Sequence, residues 1–166
     1  MYFEIKKHKD LVFKKINVFY FLIMLTVFFL DRISKNKVIN DFNDERYFIN
    51  DFLNIDLIWN IGIGFGLFST DSSVLYNFIT LLIGIVIIIL LYFFLISENI
   101  EKFIYSLIIG GASGNLYDRI SIKAVPDFID VHYNNFHWFT FNVADIFISI
   151  GILTFIVGSF FVKNIK

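Results

Sequence analysis

No cysteine occurs in the sequence, which removes disulfide frameworks, thiolate nucleophiles and cysteine-ligated metals at once. Charge is also scarce. Asp, Glu, Lys and Arg make up 17% of residues and the formal net charge is −1, so nothing here draws the chain to nucleic acid. A single proline and 9 glycines interrupt 166 residues. The histidines His8, His132 and His137 are too scattered for a metal-binding motif, and neither metal nor cofactor is expected. What fills the chain is apolar: 57% hydrophobic, 20% aromatic, 23 phenylalanines and a mean hydropathy of +0.72. A soluble domain carries about a quarter charged residues, so the composition indicates an integral membrane protein.

Residues 1–15 are basic, and an apolar run then ends at Asp31. A signal peptide begins in the same way, but no small-x-small cleavage site follows and Asp31-Arg32 stands where one should be. The run therefore reads as a first membrane span over about residues 16–33, short against the roughly 20 residues a bilayer needs. Continuing the helix to Val38, with Lys35 snorkelling to the surface, makes up the length. Three more spans are expected over about residues 74–96, 103–119 and 141–162, the third with Gly110 and Gly114 as a small-xxx-small contact face.

The polar intervals between them cover about residues 36–73 and 118–140. In the first, Ile55, Leu57 and Trp59 alternate with Asp56 and Asn60, a strand period that predicts a small extramembrane β element resting on the bilayer through its aromatics. Gly62, Gly64 and Gly66 follow without the Lys-Ser/Thr of a phosphate loop, so close backbone approach is their expected use. Lys6, Lys7, Lys9, Lys14 and Lys15 precede the first span, Lys163 and Lys166 follow the last, and residues 31–73 are rich in acids. Both termini are then cytoplasmic and both polar intervals face outward. The expected fold is one mainly α membrane domain over residues 1–166.

Polar residues concentrate between Gly110 and Asp145, and ionisable groups beside lipid usually mark function. Gly111, Asn115 and either Asp118 or Arg119 share a helix face, as do Asn142 and Asp145. Asp127 falls in the connecting interval beside Pro126. Two carboxylates at a partly dehydrated site share a proton, one acting as base while the other donates, which suits water attack on a peptide carbonyl. Spacing leaves Asp118, Asp127, Asp130 and Asp145 as equal candidates. The blander reading has Asp31 and Lys35 as an interfacial i,i+4 pair, Asp118 paired with Arg119 or a neighbour, and Asp130 solvated. A cation or proton transporter and a non-catalytic assembly subunit are the competing functions. The lack of an internal repeat counts against the transporter.

Five motifs in order carry a family resemblance: Asp31-x-x-x-Lys35, Asn60-x-Gly62-x-x-Phe65-Gly66, Gly110-Gly111-Ala112-x-Gly114-Asn115-x-x-Asp118-Arg119, Val125-x-Asp127-Phe128-x-Asp130 and Phe141-Asn142-x-Ala144-Asp145. Over nearly its full length the chain resembles the bacterial lipoprotein signal peptidases, signal peptidase II. The resemblance implies an aspartic endopeptidase of the bacterial inner membrane, active at its outer face without cofactor and able to work as a monomer among membrane lipids. It would cut prolipoproteins N-terminal to a diacylglyceryl-modified cysteine. It also implies a catalytic pair, Asp127 and Asp145. Asn60, Gly111, Asn115, Arg119 and Asn142 become substrate-contacting or site-ordering, and Asp31, Lys35 and Asp118 structural. Ser113 replaces a usual aliphatic residue and Pro126 a usual valine; neither removes a group the chemistry needs.

Overall fold

The computed structural model describes residues 14–42, 46–62, 73–134 and 136–163. Helix α1, Lys15–Asp41, is 27 residues long. With no glycine or proline to break it, it extends about 40 Å, beyond the apolar run and past Val38. Its buried positions Asn17, Met24, Val27, Asp31, Lys35 and Val38 form one narrow seam, the periodicity of a helix packed chiefly along one neighbour.

That neighbour is α3, Asn99–Ser121, which packs against all three other helices. Glycines make this possible. A Cβ on Gly110 would lie 2.7 Å from the Met24 carbonyl oxygen, and one on Gly111 would lie 2.6 Å from that of Ala144. The expected Gly110/Gly114 contact face is therefore the seam against α1. Helix α2, Ser73–Ile96, is apolar on every side yet only 17% buried over its most apolar stretch, so its natural surroundings are lipid. Lys102 closes the α2–α3 turn by donating to the Phe94 and Leu95 carbonyl oxygens at the end of α2. Met24, Ile87, Phe94 and Ile109 form the apolar core where α1, α2 and α3 meet. Helix α4, Val143–Lys163, completes the set.

Among the described residues three helices, α1, α2 and α4, are long and apolar enough to cross a membrane. Helix α3 has the length, but Glu101 and Lys102 at one end and Asp118 and Arg119 at the other lower its hydropathy.

The strands β1 (Tyr47–Asn50), β2 (Leu53–Asn60), β3 (Val125–Tyr133) and β4 (Phe136–Phe141) form one antiparallel sheet in the order β1-β2-β3-β4. The β element was expected in the first polar interval alone; half of it comes from the second. The described residues within 118–140 are a turn of α3 followed by the two strands β3 and β4 rather than a loop, and α4 begins at Val143 because Phe141 still belongs to β4. A bulge between Ile55 and Ile58 interrupts the expected alternation. Pro126 stands across from Trp59 of β2, while pairing with β4 begins only at Ile129, so the start of β3 is an edge on that side, where proline is tolerated. Asn134 turns the hairpin at φ 52°, a conformation asparagine accepts.

Candidate active site

Where α1 crosses α3, Asp31, Lys35 and Asp118 are completely buried. The Lys35 ammonium spends its three donors on Asp31 Oδ2 at 2.8 Å, Asn115 Oδ1 at 2.7 Å and Asp118 Oδ2 at 2.8 Å. Arg32 grips Asp118 through its two terminal guanidinium nitrogens, at 2.5 and 2.7 Å, and lies over the Tyr117 ring. Two acids and two bases leave the cluster neutral, the condition under which charge tolerates burial. Two expectations are corrected here: Lys35 does not snorkel to the surface, and Asp118 turns to α1 rather than to Arg119. The expected Asp31–Lys35 ion pair forms, but buried inside the protein. The reason is Gly114, whose missing side chain leaves the space that the Asp31 carboxylate fills.

Asn115 continues the network, its Nδ2 donating to Asp145 Oδ1 at 2.9 Å. Asp145 and Asn142 cap the start of α4 for each other. The Asp145 N–H donates to Asn142 Oδ1 at 3.1 Å, and the Asn142 N–H donates to Asp145 Oδ2 at 3.2 Å. This is a capping box, with Asn142 at the N-cap just before the helix rather than within its first turn. Its side-chain Nδ2 remains free for Asp127, donating to Oδ1 at 2.5 Å.

Asp127 lies on β3, not in a loop. It is 3% exposed and takes a second hydrogen bond from Asn60 Nδ2 at 2.8 Å. Burial, and then the facing Asp145 carboxylate, push Asp127 up to about 6, against the lowering pull of Asn60, Asn142 and Lys35. Asn60 in turn is set by the Gly62 N–H, and Arg119 Nη2 donates to the Gly62 carbonyl oxygen at 2.7 Å. Arg119 thus secures the chain leaving β2. Gly64, Gly66 and Phe65 lie outside the described residues.

Asn60, Gly111, Asn115, Arg119, Asn142, Asp127 and Asp145 are therefore brought to one place, with Asp31, Lys35 and Asp118 behind them. Sequence reading missed Arg32, which the Asp118 position alone does not announce. It also missed the Asn-x-x-Asp capping box, whose signal was present.

Asp130 belongs elsewhere. Two-residue periodicity puts Asp127 and Ile129 on one face of β3, and Phe128, Asp130 and His132 on the other. Expected to be solvated, Asp130 is 2% exposed. Burial alone would raise its carboxyl, but hydrogen bonds from His137 and Asn54 hold it below its ordinary value. The histidines judged scattered are also corrected: His132 and His137 are cross-strand partners.

A family model described as signal peptidase (SPase) II matches residues 23–161. The chain is 51% identical over 148 residues to the lipoprotein signal peptidase of Pelagibacter ubique (strain HTCC1062), covering 87% of this chain and 89% of that one. It is 36% identical over 161 residues to the lipoprotein signal peptidase of Buchnera aphidicola subsp. Baizongia pistaciae (strain Bp), covering 93% and 98%. A bacterial membrane enzyme solved by the in meso method at 2.3 Å resolution superposes with a TM-score of 0.77 at 28% identity, over 89% of this chain and 90% of that chain.

Proposed function

Because the chain belongs to the signal peptidase II family, membrane proteases that cleave the signal peptides of lipoproteins, we propose that it works as an aspartic endopeptidase with Asp127 and Asp145 as its catalytic pair. The observation that carries this reading is Asn142, which hydrogen-bonds one carboxylate with its side chain and the other with its backbone. Groups shared in this way are held close, and close carboxylates share one proton. The ionised member takes a proton from water as that water attacks the scissile carbonyl. The protonated member polarises the carbonyl and then supplies the proton to the leaving amine. The resting proton belongs to the pair, and the chemistry calls on no metal or cofactor.

The other side chains order this pair. Asn115 fixes Asp145, Asn60 fixes Asp127, Arg119 fixes the segment after Asn60, and Gly111 lets α4 approach α3 closely enough for the first of these contacts. The buried Asp31–Lys35–Asp118 cluster supports them from α1.

In our reading α3 is the fourth span, since its 23 residues extend about 35 Å and its charged ends fall at the two interfaces. Four spans leave both termini cytoplasmic and put the sheet, with exposed Phe48, Trp59 and Trp138, at the outer face of a bacterial inner membrane. A diacylglyceryl-modified cysteine stays in the outer leaflet, so the bilayer itself delivers the scissile bond of a prolipoprotein to the depth of the carboxylates. The whole chain would act as one monomeric domain. Asp127→Asn and Asp145→Asn, made singly, should each stop cleavage of a lipid-modified precursor while leaving the protein folded. Normal cleavage by either would sink the assignment. A change in ion flux without change in processing would instead favour a transporter.

A further inference from the structure

We propose that Asp130, His132 and His137 form a binding site for a divalent transition metal of the zinc class, on the face of the sheet opposite Asp127. Strand geometry assembles it. Asp130 and His132 are two apart on β3 and share a face, His137 of β4 stands directly across from His132, and Asn54 of β2 stands across from Asp130. One ligand atom from each of the three lies within 4.8 Å of the others. Tetrahedral zinc at its usual bond lengths sets ligands about 3.4 Å apart, so small side-chain rotations close the site. The donor set, two imidazoles and a carboxylate, suits zinc and its neighbours and not magnesium or calcium. Asp130 and His132 are buried, which gives the site a floor, while the His137 side chain is 38% exposed and leaves it open to water.

Asn54 supplies an independent sign. It is 4% exposed, and its Nδ2 lies 3.1 Å from Asp130 Oδ2 and 3.2 Å from His132 Nδ1. Among the described residues its Oδ1 is buried with no hydrogen-bond partner. Turned over, the amide brings that oxygen toward Asp130 and His132, an acceptor among acceptors that only a cation between them would favour. Without metal the cluster rests as a hydrogen-bonded group, His137 Nδ1 lying 2.9 Å from Asp130 Oδ2. With metal, β4 is tied to β3 from behind the candidate catalytic carboxylate, whose own contacts are untouched.

The test uses tag-free full-length protein in detergent micelles, titrated with Co2+ alone and then with Zn2+. The expected result is one equivalent of Co2+ giving the visible bands of a tetrahedral site, bleached by Zn2+. Zn2+ should also raise the thermal unfolding temperature. His137→Ala, at an exposed position, and His132→Ala should each lose bands and thermal shift together. Asn54→Ala should weaken binding about 10- to 100-fold, as loss of an orienting neighbour does. His8→Ala should change nothing. Absence of saturable Co2+ bands in the native protein overturns the proposal, as do bands that survive unchanged in both His137→Ala and His132→Ala.

Discussion

Gly114 on α3 stands against the Asp31 carboxylate of α1 so closely that a single added methyl group would collide with Oδ2. The Asp31 carboxylate seated there lies 2.8 Å from Lys35 and accepts the Ala144 N–H at 3.1 Å, joining α1 to both α3 and α4. Gly114→Ala should therefore destabilise by about 1 to 3 kcal/mol, the usual effect of overpacking, and should lower the yield of folded protein. Gly84→Ala is the control. Nothing lies within 4 Å of a Cβ there, so that variant should be neutral or slightly stabilised. Thermal unfolding of the two side by side distinguishes a packing effect from a general intolerance of larger residues.

Lys35 should be the most costly cation to remove. Its ammonium is the common partner of Asp31 and Asp118, both fully buried, and Lys35→Ala leaves two acids with Arg32 alone. Breaking a buried pair from one side costs about 3 to 5 kcal/mol. Lys35→Arg is not a safe replacement, because a planar fork cannot reproduce three converging hydrogen bonds from one nitrogen. Asp118→Asn in the Lys35→Ala background should restore part of the loss, measured as unfolding midpoint. No recovery would mean that the two groups are not coupled.

Three of the expected spans were legible because a 20-residue apolar run has few meanings, and strand β2 because 54–60 alternates. The second half of the sheet was not, because 125–133 reads Val-Pro-Asp-Phe-Ile-Asp-Val-His-Tyr. A proline near the start and two aspartates argue for a loop until the neighbouring strand that satisfies them is known. The polar cluster was visible as composition, but its partition was not. Spacing left Asp118, Asp127, Asp130 and Asp145 as equals, and what separates them is which face of β3 each takes and whether α1 supplies a cation. Both are long-range facts. Arg32 grips Asp118 across 86 residues of sequence, a distance no periodicity reaches.

Asn142 has two tasks that one substitution can separate. As N-cap it starts α4, and through Nδ2 it holds Asp127. Serine caps a helix about as well as asparagine but is too short to span the second contact. Asn142→Ser should keep the native unfolding temperature while kcat for precursor cleavage falls about 100-fold, the usual effect of a reacting group displaced by about an ångström. Asn142→Ala should lose the same activity and also about 1 kcal/mol of stability. Equal activity in Asn142→Ser and the native protein would remove Asn142 from the positioning of Asp127.

Asp127 makes stability and activity respond to pH in linked ways. Its carboxyl titrates near 6 in the folded protein against an ordinary value of 3.8, so the folded state binds this proton more tightly than the unfolded chain does. The contribution to stability is complete below about 3.8 and is lost as pH rises through about 6. At neutral pH the buried charge then costs up to about 3 kcal/mol. Asp127→Asn should remove that dependence, unfolding later than the native protein at about pH 7 and gaining little at about pH 4. The same group should produce a limb near pH 6 in the kcat/KM profile of the native enzyme. Asn60 donates to the Asp127 carboxylate and favours its charged form, so Asn60→Ala should move that limb to higher pH. A profile that Asn60→Ala scales down without moving would mean that Asp127 is not the group titrating there.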